Sequence, residues 1–161
     1  MLESRGESTL RFTFVSPNYL QYYATMQLIQ VSPEEVFQSL SDPIRLRVVR
    51  LLASTGEEAC LCELVDSFLE PSYKVSRHLK VLRQSGVVSV EKEGRWVYHS
   101  LVAGPDHLAA LFNVVEGLPD PNGIFEKDLE RFLQRLGQRE DGRCRVGLRE
   151  PAGIQDRAGG G

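Results

Sequence analysis

No stretch of the 161-residue sequence approaches the roughly 18 consecutive apolar residues that a bilayer-spanning helix needs. The first residues also lack a charged, then apolar, then small-residue leader pattern. A soluble protein with no membrane partner is expected. Cysteine is scarce and odd in number, three in all, which makes no disulfide framework and fits a reducing cytoplasm. Positive charge is not in excess either: 19 Lys and Arg face 22 Asp and Glu, a formal net of −3. Any nucleic-acid role therefore rests on a local basic patch. The three histidines, His78, His99 and His107, form no metal or triad spacing with the cysteines. No enzyme is expected.

What is present, 42% apolar and 25% charged residues, suits one small globular domain with frayed ends. Residues 1–31 read as an N-terminal extension without a clean period. The domain spans 32–137, and the Gly- and Arg-rich remainder, 138–161, reads as a flexible C-terminal tail. Ser32-Pro33-Glu34-Glu35 opens a helix with an N-cap, a proline at the first position and a capping-box glutamate. Asp42-Pro43 repeats the signal for a second helix ending near Ser54-Thr55-Gly56. A third, about Glu58 to Phe68, carries Leu61, Leu64, Val65 and Phe68 at spacings of three and four. After the break at Pro71, Ser72 starts a fourth helix that Gly86 ends. Two β-prone runs follow, Val87–Val90 and Trp96–Leu101, about a turn centred on Gly94. Two amphipathic helices, Pro105–Glu116 and Asn122–Leu136, complete the domain.

Two short helices, a tight turn and a hairpin describe a winged helix-turn-helix, mainly α with a β-hairpin wing. In the helix opened by Ser72, Val75, Leu79 and Leu82 face inward, leaving Tyr73, Lys74, Ser76, Arg77, His78 and Lys80 outward. Lys74, Arg77, Lys80, Arg83, Lys92 and Arg95 against Glu91 and Glu93 give a local net of +4 inside an acidic chain. Lysine and arginine neutralise phosphates, while Ser76, Arg77 and His78 suit base edges, and Lys92 and Arg95 on the wing brace the flanking backbone. The expected DNA-binding set is Ser72, Tyr73, Lys74, Ser76, Arg77, His78, Lys80, Lys92 and Arg95, on double-stranded operator DNA.

Three segments resemble the ArsR/SmtB family of metal-sensing repressors, over about Ser32 to Leu101. Glu58-Ala59-Cys60-Leu61-Cys62-Glu63-Leu64 is similar to its E-L-C-V-C-D-L sensor box. The run Lys74 to Val88, "KVSRHLKVLRQSGVV", is similar to its K-I-S-R-H-L-x-x-L-R-E-S-G-L-V recognition segment, and Gly94-Arg95-Trp96-Val97-Tyr98 to its wing. The resemblance implies a homodimer that occupies operator DNA and leaves it when a metal or metalloid binds. It also implies a dimer surface built from Val36, Phe37 and Leu40 with Leu108, Leu111, Phe112 and Val115, residues that read equally well as core.

Thiolates are soft ligands, so Cys60 and Cys62 favour arsenite, antimonite, Cd(II), Cu(I) or Zn(II). The zinc-type branch places Asp and His pairs on the helix that here has only Asp106 and His107, and the cadmium branch uses N-terminal cysteines that residues 1–59 lack. The resemblance is therefore to the arsenic-sensing branch, with As(III) or Sb(III) as inducer and no constitutive cofactor. That branch often has a third cysteine where Val65 stands. The third ligand is then Cys144, whose neighbours Arg143 and Arg145 should favour its thiolate, or a small cellular thiol, or the methyl group of a methylated arsenical. Oxidation of the neighbouring thiols, or Cd/Zn sensing, is the alternative. Residues i and i+2 lie about 200° apart around a helix, so capture by both cysteines is expected to distort it.

Overall fold

The computed structural model describes residues 32–148. The extension 1–31 and tail positions 149–161 lie outside the described residues. Among the described residues six helices and three strands follow in order: α1 (Pro33–Leu40), α2 (Pro43–Thr55), β1 (Ala59–Cys60), α3 (Leu61–Phe68), α4 (Ser72–Gln84), β2 (Val88–Glu93), β3 (Trp96–Leu101), α5 (Asp106–Glu116) and α6 (Ile124–Leu136).

Local chemistry sets these boundaries. At α1 the Ser32 N–H donates to Glu35 Oε2 at 2.9 Å and the Glu35 N–H to Ser32 Oγ at 3.3 Å, a reciprocal box that satisfies two orphan donors. At α2 the Asp42 carboxylate accepts from the N–H groups of Ile44 and Arg45 at 2.9 and 3.2 Å. The hairpin closes through Gly94-Arg95 alone, because Glu93 pairs with Trp96 and Gly94 takes φ +58, a region open to glycine at no steric cost.

One core joins the helices. Val48, Val49, Leu52, Leu64, Val75, Leu82, Leu108 and Phe132 are all essentially buried, and each large side chain removed from water contributes about 1.5–3 kcal/mol. Val65 is partly buried against this core, which accounts for an apolar residue there. The surface expected for dimer contact is mostly spent here: Val36, Leu40, Leu108, Phe112 and Val115 are buried within their own chain. Phe37 on α1 and Val114 on α5 stay outside, 65% and 62% exposed.

Two differences from the sequence expectation matter. First, the third helix begins at Leu61, not Glu58, because Ala59 and Cys60 pair as a strand with His99 and Tyr98 of β3. The sheet order is β1-β3-β2, so the cysteine segment is a third strand of the wing. A two-residue strand has too little alternation to read from sequence, and the helical spacing of Leu61, Leu64 and Phe68 extends back over it. Secondly, residues 138–148 do not run as a free tail. A Glu140–Arg143 bridge turns the chain, and Cys144 is 3% exposed.

Candidate metal centre and nucleic-acid interface

Cys60 precedes α3 in an extended conformation, φ −83 and ψ 162, and Cys62 sits in the first helical turn. The expectation that a regular helix must distort before both thiols meet one ion is therefore overturned. With Cys60 outside the helix, its Sγ and those of Cys62 and Cys144 all lie within 4.8 Å of one another, and all three residues are buried. The thiols are free, with Cys62 and Cys144 Sγ in hydrogen-bond contact at 3.2 Å.

Cys144 is held there by its surroundings. Its N–H donates to the Tyr98 hydroxyl at 3.0 Å, and its thiol to the Val146 carbonyl at 3.3 Å. Arg143 ion-pairs with Glu58 and with Glu93 on the wing, the latter at 2.8 Å, and its guanidinium lies over the Tyr98 ring. Arg135 donates to the Val146 carbonyl at 2.8 Å. Arg139 grips buried Glu63 through two bonds of 2.8 and 2.9 Å and donates to the Glu58 carbonyl. Glu63 in turn accepts from the Cys60 N–H at 2.8 Å.

These contacts distribute the protons. The hydrogen bond from Cys60 pulls the Cys62 thiol down to about 6, and the Cys144 contact and the Arg135 charge act in the same sense against burial. Cys60 is correspondingly raised, by that shared hydrogen bond first and by burial next. Burial pushes Cys144 up to about 11. Its flanking arginines do not favour the thiolate as the sequence suggested, since Arg143 is spent on Glu58 and Glu93 and Arg145 is exposed. A cluster with one ready thiolate and two thiols follows.

On α4, Tyr73, Ser76, Arg77 and Lys80 are exposed, as are Lys92 and Arg95 on the wing. Ser72 is half-buried, and Lys74 pairs with Glu70 at 2.9 Å. His78 departs from the outward expectation: its Nδ1 lies 3.4 Å from Asp42 and 3.5 Å from Arg45, and its side chain is 17% exposed. Sequence spacing put it on the outer face, but the N-cap of α2 draws it sideways.

Sequence reasoning missed Tyr98, Glu63, Arg135 and Arg139. Glu63 carried the one available signal, standing three residues after the N-cap Cys60, but a cysteine there does not announce a capping box.

A helix pair, a basic second helix and a three-stranded wing define a winged helix-turn-helix DNA-binding regulator. Residues 42–90 match the model of the family described as "Bacterial regulatory protein, arsR family". An HTH-type transcriptional regulator of Methanocaldococcus jannaschii is 33% identical over 84 residues, 52% of this chain and 91% of that protein. Two arsenic resistance transcriptional regulators of Pseudomonas putida are also similar. ArsR1 is 39% identical over 109 residues, 68% of this chain and 83% of its own length. ArsR2 is 44% identical over 71 residues, 44% of this chain and 61% of its own length. The chain belongs to the arsR family of transcriptional regulators.

Proposed function

We propose that the protein is a metalloid-responsive repressor that binds operator DNA as a dimer and is released when As(III) or Sb(III) is captured by Cys60, Cys62 and Cys144. The observation that carries this reading is the buried convergence of three sulfurs from β1, α3 and the segment after α6. Soft, three-coordinate pnictogen ions suit three thiolates, whereas zinc calls for a fourth ligand that the described cluster does not supply. The names of the two P. putida relatives point the same way. Phe37 and Val114, exposed on α1 and α5, are the apolar residues for a dimer contact.

The route to DNA runs through the wing. Cys60 pairs with Tyr98, Tyr98 holds the Cys144 N–H, and Arg143 ties the same segment to Glu93. Drawing three sulfurs onto one ion pulls this assembly inward and shifts the wing relative to α4. Such coupling is typically ~1–3 kcal/mol and reciprocal, so DNA weakens metalloid binding by the same factor. Fluorescence anisotropy on the DNA upstream of the gene should show affinity falling about 5–150-fold with arsenite. Unchanged affinity at saturating arsenite would falsify the reading. Cys60→Ser and Cys62→Ser should bind DNA as the wild type does and ignore arsenite.

For the DNA face, Arg77→Ala should cost about 1–3 kcal/mol of operator affinity through a lost base contact. Lys92→Ala should instead lower the slope of log K against log salt by about 0.9, one phosphate contact. A Lys92→Ala slope equal to wild type would remove the wing from the interface.

The Cys62–Cys144 contact of 3.2 Å favours a second reading, thiol oxidation. A peroxide takes the Cys62 thiolate to the sulfenic acid, and the Cys144 thiol condenses with it, releasing water and closing a disulfide. Titrating DNA release with peroxide and with arsenite in parallel separates the two.

A further inference from the structure

A wing that lies against phosphate needs positive charge, yet the tip of this hairpin has no excess of it. From Glu91 to Arg95 two carboxylates, Glu91 and Glu93, balance two cations, Lys92 and Arg95. The strand register also sorts them. Glu91 pairs with Tyr98 and Glu93 with Trp96, so these four side chains share one face, while Lys92, opposite Val97, takes the other. Arg95, in the turn, lies over the Trp96 ring at 4.6 Å.

A cation reaches the acidic face from elsewhere in the chain. Arg143, on the segment after α6, lies over the Tyr98 ring at 4.9 Å and pairs with Glu93 at 2.8 Å, and Glu58 anchors the same guanidinium from the side of β1. Its backbone is fixed as well. Asp141 and Gly142 turn at φ +51 and +72, and Glu140 and Arg143 exchange both of their N–H to carbonyl bonds, at 3.0 and 2.9 Å. The Arg143 and Glu93 side chains are 33% and 49% exposed, so the pair stands where a duplex can meet it. At that exposure an ion pair adds little to stability, and its effect lies in the field that phosphate encounters.

We propose that Arg143 belongs to the DNA interface: it neutralises Glu93 on the acidic face of the wing, so that phosphate meets Lys92 and Arg95 without an opposing carboxylate at the tip. This rests on the DNA-binding reading and not on the identity of the inducer. Without Arg143 the Glu93 carboxylate is turned toward phosphate, and like charges across an interface weaken association. The interface is then assembled from three parts of the chain, α4, the wing and the segment after α6. Because Arg143 directly precedes Cys144, the charge at the wing tip and the thiol cluster share one short segment.

Fluorescence anisotropy of the full chain on the DNA upstream of its gene, across salt concentrations and without inducer, tests this. Arg143→Ala should bind about 5–10-fold more weakly and lower the slope of log K against log salt by about 0.9, the weight of one charge. Glu93→Gln, which leaves the Arg143 charge unopposed at the tip, should shift both in the opposite direction by similar amounts. The double variant Arg143→Ala with Glu93→Gln has the wild-type charge balance and should return to within about twofold of wild type. An amide at Glu93 does not repair a lost structural support, so a double variant as weak as Arg143→Ala overturns the proposal. Glu93→Gln binding no more tightly than wild type overturns it too, and decides the matter even if Arg143→Ala does not fold. If the wild type shows salt-dependent binding and Arg143→Ala matches it, only the role of Arg143 falls; if the wild type shows none, the DNA-binding reading falls with it.

Discussion

Asp128→Ala should destabilise the fold by about 3–5 kcal/mol, the usual cost of stranding the partner of a buried ion pair. Asp128 is 1% exposed on α6. It accepts from Arg47 Nε and Nη2 at 2.6 and 2.8 Å and from Arg131 at 2.8 Å. The same two arginines reach the end of α3, Arg47 donating to the Phe68 carbonyl at 3.0 Å and Arg131 to the Ser67 carbonyl at 2.6 Å. Those carbonyls have no helical donor, because the chain leaves α3 through Leu69 at φ +54. One carboxylate thus fixes two guanidinium groups that cap α3 and lock α2, α3 and α6 together. Removing it leaves Arg47, 14% exposed, with the Glu70 carboxylate at 3.9 Å in place of two short bonds to Asp128. Urea unfolding followed by circular dichroism measures the loss. Asp128→Asn keeps the shape and part of the bonding, so it should lose less; equal losses would show that charge rather than packing carries the effect.

The fold was legible wherever local chemistry and periodicity agreed. Ser32, Asp42 and Gly94 each do in the structure what their residue type allows, and helices from Pro33 to Leu136 fall within two or three residues of their expected bounds. Asp128 and Arg139 were not legible, because a charged residue on an amphipathic helix or in a polar tail reads as solvent-facing until its partner is known, and here Arg47 and Glu63 are 81 and 76 positions away. The cysteine pair was found from its residue type, but its geometry depended on pairing with Tyr98, a contact across 38 positions. Cys144 reads from the sequence as a candidate ligand on a flexible tail for a similar reason. Its segment has few apolar residues, and what holds it is a set of arginine bonds and one tyrosine hydroxyl rather than a hydrophobic stripe.

Arg139→Ala should cost another ~3–5 kcal/mol at neutral pH and release the segment that carries Cys144. Arg139 and Glu63 are 7% and 1% exposed, and Arg139 also bridges to Glu57 and the Glu58 carbonyl. In the wild type, burial pushes the Glu63 carboxyl up. The Arg139 bonds and charge, with the Cys60 N–H, outweigh it, and the carboxyl stays below the ordinary range. A carboxyl lowered in the folded state contributes stability that is complete above its unfolded value, about 4.3, and lost as pH falls through the lower folded value. Without the guanidinium, burial is opposed by the Cys60 N–H and no cation, and the Glu63 carboxyl moves up from its wild-type value. The variant's deficit should therefore be largest near neutrality and shrink as acid protonates Glu63 in the variant before the wild type. Chemical denaturation from pH 7 down to pH 4 measures this, and a deficit constant across that range would exclude charge as its source. Glu63→Gln in the Arg139→Ala background should recover part of the loss at pH 7, because a neutral amide no longer needs the cation. The same double variant tests the site: with the segment after α6 no longer tied to Glu63 and Glu58, arsenite should be bound more weakly even where the fold is restored.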